Sequence, residues 1–191
     1  MNDTALFSKA ALRQDLLQKR MEISPAARLK AAEAMCEAFF EHVSISAGMI
    51  VAGYWPIRNE IDDIILLRRL LQKGTYCALP CIEKQNKPLV FRPWNESTLM
   101  TVGNFSIPEP TGGGAALTPD IVIVPMAAFD MQRHRLGYGA GYYDRTLAQL
   151  KAERNILAVG VAYDTQVLPR LPIEENDVRM DMIITDKKVY K

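Results

Sequence analysis

Ile121-Val122-Ile123-Val124 is an unbroken run of β-branched residues. Such side chains favour extended backbone, and four in a row leave neither face of a strand polar. A strand of this kind is buried on both faces, as in the centre of a parallel sheet. ILAVGVAY at 156–163 carries the same signature. MIVAGYW at 49–55 and TYCALP at 75–80 read as further buried strands, LVF at 89–91 as a shorter one. Met182 to Thr185 is expected to close the sheet.

Helical patterns separate these runs. Residues 8–21 put Leu12, Leu16 and Leu17 on one stripe, with Lys9, Arg13 and Arg20 elsewhere on the helix surface. Ser24-Pro25 joins an N-cap to a residue preset for a first helical turn. Leu29, Ala32, Cys36, Phe39, Phe40 and Val43 then recur at helical spacing. Residues 61–74 form a helix stopped by Gly74, and Gly141 to Ala152 another. The stretch 92–119 holds four prolines and Gly112-Gly113-Gly114, and reads as loop with one brief helical turn. Strands alternating with helices imply an α/β fold. The expectation is a three-layer α/β/α arrangement with a mostly parallel central sheet of about six strands, in a single domain spanning 1–191.

Charge and cysteine content narrow the function. Twenty-three Lys and Arg against 22 Asp and Glu leave a net charge of +1. So neutral a chain has no general pull on nucleic acid or anionic membranes. Its apolar runs are far shorter than the roughly 18 residues that read as a membrane-spanning helix. The first residues lack an apolar core and carry Asp3 and Asp15, so no signal peptide is expected. Cys36, Cys77 and Cys81 are too few for a disulfide framework, and a reducing cytoplasm is the expected setting. Cys77 and Cys81 read as small buried apolar residues. His42 and His134 lie far apart and suggest neither a metal site nor a histidine-dependent nucleophile. No exposed apolar helix face demands a partner, so a monomer is expected.

FDMQRHRLGYGAGYYDRTL at 129–147 stands apart. It follows a central strand and precedes a helix, where open α/β sheets bind ligands. Gly137, Gly139 and Gly141 alternate, which lets the backbone approach a ligand closely. The next helix begins beside them, so its free N–H groups point at the same place. Arg133, Arg135 and Arg145 add positive charge, and together these features suit a polyphosphate. There is no GxxxxGK[ST], and the spacing is GxGxG rather than GxGxxG, so neither the P-loop nor the Rossmann fingerprint applies.

RLGYGAGYYDR resembles the signature of the 5-formyltetrahydrofolate cyclo-ligase family. KAALR at 9–13, YWPIRNEID at 54–62, ALP at 78–80, FDMQRHRLG at 129–137 and MDMIIT at 180–185 are similar to further family segments, in the family's order. Two positions depart from its pattern, Ala140 and His134. Ala140 restricts φ inside the loop.

The resemblance implies an ATP-dependent, magnesium-dependent enzyme that turns 5-formyltetrahydrofolate into 5,10-methenyltetrahydrofolate, ADP and phosphate. It implies nucleotide binding by Lys9, Ala10, Ala11, Leu12 and Arg13, and by Arg135, Leu136, Gly137, Tyr138, Gly139, Ala140, Gly141, Tyr142 and Tyr143. Lys9 and Arg135 take the catalytic part, Trp55 and Glu60 meet the reduced folate, and Asp144 and Asp181 hold Mg2+.

Residue pattern alone leaves blander readings open. Lys9 and Arg13 fit a solvated helix face. Glu60 and Asp144 fit carboxylates favoured near helix N-termini. Asp181 fits a loop end and Trp55 plain core, and one of Tyr142 and Tyr143 is expected to face inward. Two other functions use the same features: a sugar-phosphate isomerase or deaminase that needs no ATP, and a non-catalytic nucleotide-binding module.

Overall fold

The computed structural model describes residues 9–111 and 114–191. Ser8, at the start of the first expected helix, and Gly112 and Gly113 lie outside them. The helices are α1 (Lys9–Met21), α2 (Pro25–His42), α3 (Ile64–Gln72) and α4 (Tyr142–Glu153). The strands are β1 (Ile50–Ala52), β2 (Tyr76–Cys81), β3 (Val90–Trp94), β4 (Met100–Val102), β5 (Pro108–Pro110) and β6 (Ile121–Pro125). They continue with β7 (Ala128–Asp130), β8 (Arg135–Leu136), β9 (Leu157–Ala162), β10 (Val167–Leu168), β11 (Met182–Thr185) and β12 (Val189–Tyr190).

A seven-stranded sheet runs in the order β12-β11-β9-β6-β1-β2-β3. Its five central strands are parallel, and β12 and β3 are antiparallel edges. As expected for strands buried on both faces, alternate residues feed two cores. Val51, Cys77, Leu79, Ile121, Ile123, Val159 and Ile184 pack with Met35, Phe39, Leu66, Leu67 and Leu70 of α2 and α3. Ala52, Ala78, Val122, Val124, Ala158 and Ile183 pack with Leu147 and Leu150 of α4. A third, small core seats α1: Leu12 and Leu16 meet Ala128, Leu136 and Leu168 of the three-stranded sheet β10-β7-β8, and Leu171 just beyond it.

The helix signals act as their chemistry predicts. Ser24 caps α2 by accepting from the Ala27 N–H at 3.3 Å, and Pro25 fills the first turn. Gly74 ends the α3 region with φ +79, a torsion open to glycine. All three cysteines are free and buried; burial pushes the thiols of Cys77 and Cys81 up to about 11.

Four expectations are corrected. The sheet has seven strands, and β12 rather than Met182 to Thr185 closes it; two residues are too few to show a periodicity. The stretch 92–119 holds the end of β3 and the ribbon β4-β5 besides its short helical turn. Pro108 and Pro110 sit in that two-stranded ribbon, where a missing donor is tolerated. The helix expected from 61 starts at Ile64, because Asp62 and Asp63 hold the approach. Arg20 is not on the surface: it is 2% exposed.

The chain leaves β1 through α3 towards one edge of the sheet, and leaves β6 through α4 towards the other. Between adjacent β1 and β6 the direction of winding reverses. A crevice opens at the carboxyl ends of the strands at such a point.

Gly53, just past β1, shows how tightly this end is packed. A Cβ there would meet Asp63 Oδ2 at 2.4 Å and Leu67 Cδ1 at 2.7 Å. That Asp63 oxygen is fixed by the Tyr54 N–H at 2.9 Å. Gly53→Ala is expected to destabilise the protein by about 1–3 kcal/mol, the usual cost of overpacking, read as a lowered urea midpoint. An unchanged midpoint would show that Asp63 can move.

Candidate functional site

Three segments meet at this crevice. The segment after β1 runs from Tyr54 to Glu60, and the loop from Gly137 to Gly141 lies between β8 and α4. Helix α1 lies across both. Its small apolar core fixes its position, and its basic side chains fasten it. Arg13 Nε donates to the Gly137 carbonyl at 2.6 Å. Arg20 donates from Nε to the Arg58 carbonyl (2.9 Å), from Nη1 to the Met126 carbonyl (3.1 Å), and from Nη2 to the Tyr138 hydroxyl (2.5 Å).

The glycine loop has the geometry its sequence requires. Gly139 (φ +96) and Gly141 (φ +66) adopt left-handed torsions, and Gly141 precedes the first turn of α4. A Cβ on Gly137 would come within 2.7 Å of Arg135 Nη1. Arg145 Nη2 donates to the Ala140 carbonyl at 2.7 Å. Cationic side chains therefore press on the loop from three sides. Two of them carry an unsatisfied donor: Arg135 Nε and Arg145 Nε are buried without a hydrogen-bond partner. A buried N–H left unpaired is costly, and an anionic ligand would satisfy it.

Arg135 lies under the loop, its side chain 5% exposed, and donates from Nη2 to Asp144 Oδ1 at 2.7 Å. The same oxygen accepts the Val178 N–H at 3.1 Å. One residue earlier, Asp177 pairs with Lys9 at 2.8 Å, and Glu174 pairs with Lys9 at 3.1 Å. Lys9, Arg13, Arg135, Asp144 and the loop are thus gathered around one crevice. Ala10, Ala11 and Leu12 belong to the same turns of α1, with Leu12 turned into the small core. Leu136 is buried in that core too. Tyr143 packs into the core beneath α4, whereas Tyr142 faces out against Arg145 and Phe105.

The expected pairing of Asp144 with Asp181 does not form. Asp181 accepts from Lys151 Nζ at 2.8 Å and 2.9 Å and from the Ala158 N–H at 2.7 Å, at the amino-terminal end of β9. Asp144 sits at the start of α4, at the carboxyl end of the sheet. Along α4, Asp144 and Lys151, the partner of Asp181, are about 10 Å apart. Among the described residues no group of three His, Cys, Asp or Glu is arranged to hold a metal. His134 meets no loop atom: its ring lies 3.1 Å from Asp130 Oδ2 in a closed turn.

On the other wall, Glu60 is buried and Trp55 half-buried against the α2–α3 core. The Tyr138 hydroxyl donates to Glu60 Oε1, and the Ile57 N–H donates to Oε2 at 2.9 Å. Burial raises the Glu60 pKa, against the opposing pull of Arg20 and these two bonds. Arg20 and Asp177 carry no signal in the residue pattern; a lone charge on an amphipathic helix or in a loop bears no mark of a buried partner.

A parallel sheet whose switch-point crevice is lined by a glycine loop and buried arginines defines an α/β protein with the chemistry to accept an anionic ligand. Comparison narrows the class. A sequence profile described as the 5-formyltetrahydrofolate cyclo-ligase family matches residues 6–186. The chain belongs to that family. It is 34% identical to the 5-formyltetrahydrofolate cyclo-ligase of Mycolicibacterium smegmatis, over 95% of each chain. It is 26% identical to the Escherichia coli K12 enzyme of the same name, over 91% of this chain and 98% of that one. The NMR structure of Aquifex aeolicus 5,10-methenyltetrahydrofolate synthetase superposes with a TM-score of 0.81 at 32% identity, covering 96% of this chain and 92% of that one.

Beneath the Glu60 wall, Asp63 is fully buried and its Oδ1 has no partner. Desolvation raises its pKa well above the carboxylate range, against the Tyr54 N–H bond. A carboxyl that binds its proton more tightly when folded stabilises the fold below its unfolded pKa and loses that contribution as pH rises. The stability of the wild type relative to Asp63→Asn is therefore expected to fall as the pH rises above about 4, an ordinary aspartate pKa. Denaturation series at matched pH values check it, and parallel curves would refute it.

Proposed function

We propose that this chain catalyses the ATP-dependent cyclisation of 5-formyltetrahydrofolate to 5,10-methenyltetrahydrofolate, with release of ADP and phosphate. The observation that carries the reading is Arg135, a buried guanidinium beside the glycine loop with one N–H still unpartnered.

The chemical problem is the N-formyl group. It is an amide, with a weakly electrophilic carbon and an oxygen that leaves poorly. Transfer of the γ-phosphoryl group to the formyl oxygen makes that oxygen a phosphate ester. N10 of the folate then attacks the carbon and loses its proton, and the C–O bond breaks as phosphate departs. The protein's task is positioning and charge stabilisation. Arg13, Arg135, Arg145 and the α4 N-terminus hold the triphosphate against the Gly137–Gly141 backbone. Lys9 supplies a further cation once it exchanges Asp177 for phosphate. Glu60 accepts N–H groups of the pterin, and Trp55 offers a flat apolar surface beside it.

Mg2+ commonly takes one or two carboxylates together with phosphate oxygens. Asp144 fits that part, with its second oxygen uncommitted, and Asp181 does not. The ion would neutralise charge on the phosphates. Four basic groups beside the loop, Lys9, Arg13, Arg135 and Arg145, favour a polyphosphate over a single sugar phosphate. Among the described residues no helix is long and apolar enough to cross a membrane.

Mixing protein, MgATP and 5-formyltetrahydrofolate is expected to give the methenyl product's absorbance, and none without nucleotide. Ring closure at the same rate without ATP would overturn the reading. Arg135→Ala is expected to lower kcat/KM for ATP by about 100-fold, in the range for loss of a charge-stabilising donor; an unaltered ATP dependence would remove Arg135 from the site. Asp144→Asn is expected to abolish the extra thermal stabilisation that Mg2+ adds to ATP while leaving that of ATP alone. An undiminished magnesium increment would exclude Asp144.

A further inference from the structure

Tyr138 is part of the phosphate loop by sequence, yet its hydroxyl points away from the loop and across the crevice. It touches two groups, Arg20 Nη2 and Glu60 Oε1. A guanidinium donates only, so the tyrosine oxygen must accept from Arg20 and its proton must go to Glu60. The hydroxyl thus has a fixed orientation. Arg20 itself stands 3.9 Å from Glu60 Oε1, so the tyrosine oxygen lies between cation and carboxylate. The ring is held as well, with the guanidinium of Arg20 at 5.8 Å and that of Arg58 at 5.7 Å from its centroid.

The flanking backbone has little freedom to absorb movement. Gly137 is tied to Arg13 through its carbonyl, and Gly139 lies against the Arg13 guanidinium. A phosphate seated on this loop fixes the backbone on both sides of Tyr138. Glu60 stands after β1 and Tyr138 before α4, so their bond spans the place where the winding of the sheet reverses.

Resting on the function proposed above, we infer that Tyr138 is a positioning residue that couples the two substrates: a nucleotide on the glycine loop orients Tyr138, and Tyr138 presents Glu60 to the folate. Coupling of this kind is reciprocal, so each ligand tightens the other by the same factor. It also acts on the charge of Glu60. A donor to the ionised form favours that form, and Tyr138 is one of two such donors. The other groups facing Glu60 are Arg20 from α1, Arg58, Tyr54 and the Ile57 N–H from its own segment, Asp63 just before α3, and Tyr143 from α4. None of them belongs to the glycine loop, so among the described residues Tyr138 is the hydrogen-bonded link from that loop to Glu60.

Tyr138→Phe keeps the ring and removes the hydroxyl. Folate affinity is measured by titration with and without a non-hydrolysable MgATP analogue. In the wild type the analogue is expected to tighten folate binding by about tenfold, the scale of one hydrogen bond to a charged group. In Tyr138→Phe that enhancement is expected to vanish, read as the same folate affinity with and without saturating analogue. The acid limb of kcat/KM for the folate should also move to higher pH, because Glu60 loses a donor to its ionised form. Glu60→Gln, which removes the charge, is expected to lose the enhancement too and to make the Tyr138→Phe change silent in a double-mutant cycle. A role in stability alone would lower the melting temperature and leave both the enhancement and the acid limb in place; that result overturns the inference. So does a wild type that binds both ligands independently. A wild type that binds neither ligand defeats the proposed function itself, and this inference with it.

Discussion

One buried guanidinium holds the crevice together. Arg20 satisfies backbone carbonyls from the segments after β1 and after β6, and reaches the glycine loop through Tyr138. Removing a partner from such a group leaves a charge unpaired in a desolvated place, which costs far more than the bonds contribute on balance. Arg20 therefore specifies geometry more than it adds stability. The two walls of the crevice belong to different crossovers of the sheet, and no main-chain ladder joins them. Their spacing is set by α1, and α1 is set by Arg20 and a small apolar seat.

The chemistry follows from what surrounds that frame. The glycine loop lets backbone N–H groups approach a ligand, and α4 begins where they converge. Arginines supply charge without being able to act as bases, which suits a reaction that moves a phosphoryl group. The acidic residues are already engaged by cations: Asp144 by Arg135 and Asp177 by Lys9. Part of the crevice's positive charge is thus already engaged before any ligand arrives. On the proposed function, an incoming polyphosphate would compete with carboxylates for the same cations. Fold alone would not select this activity, since one scaffold serves many reactions.

Much of this was legible in the residues. The β-branched run of β6 announced a parallel sheet, and Ser24-Pro25 announced α2, because both depend on local chemistry. The alternating glycines gave the loop, and Gly139 and Gly141 do carry the unusual torsions. What escaped depends on distant partners. Arg20 looks like any charged residue on an amphipathic helix until Met126, 106 positions later, is folded against it. Asp181 reads as a ligand beside Asp144, but an ion pair with Lys151 keeps it at the far end of the sheet. The strand β12 is too short for any pattern, and the prolines of β5 disguise a ribbon as a loop.

The two edge strands have a consequence for how the molecule behaves in a crowd. The outer strand β12 has only two residues, and β3 carries Pro93 and makes an isolated bridge between Phe91 and Leu117. Each border of the main sheet thus offers little free ladder to a neighbouring molecule. A parallel sheet of slow, long-range pairing is vulnerable to intermolecular zippering while it assembles. Blunted margins reduce the free backbone through which copies of such a chain could pair edge to edge.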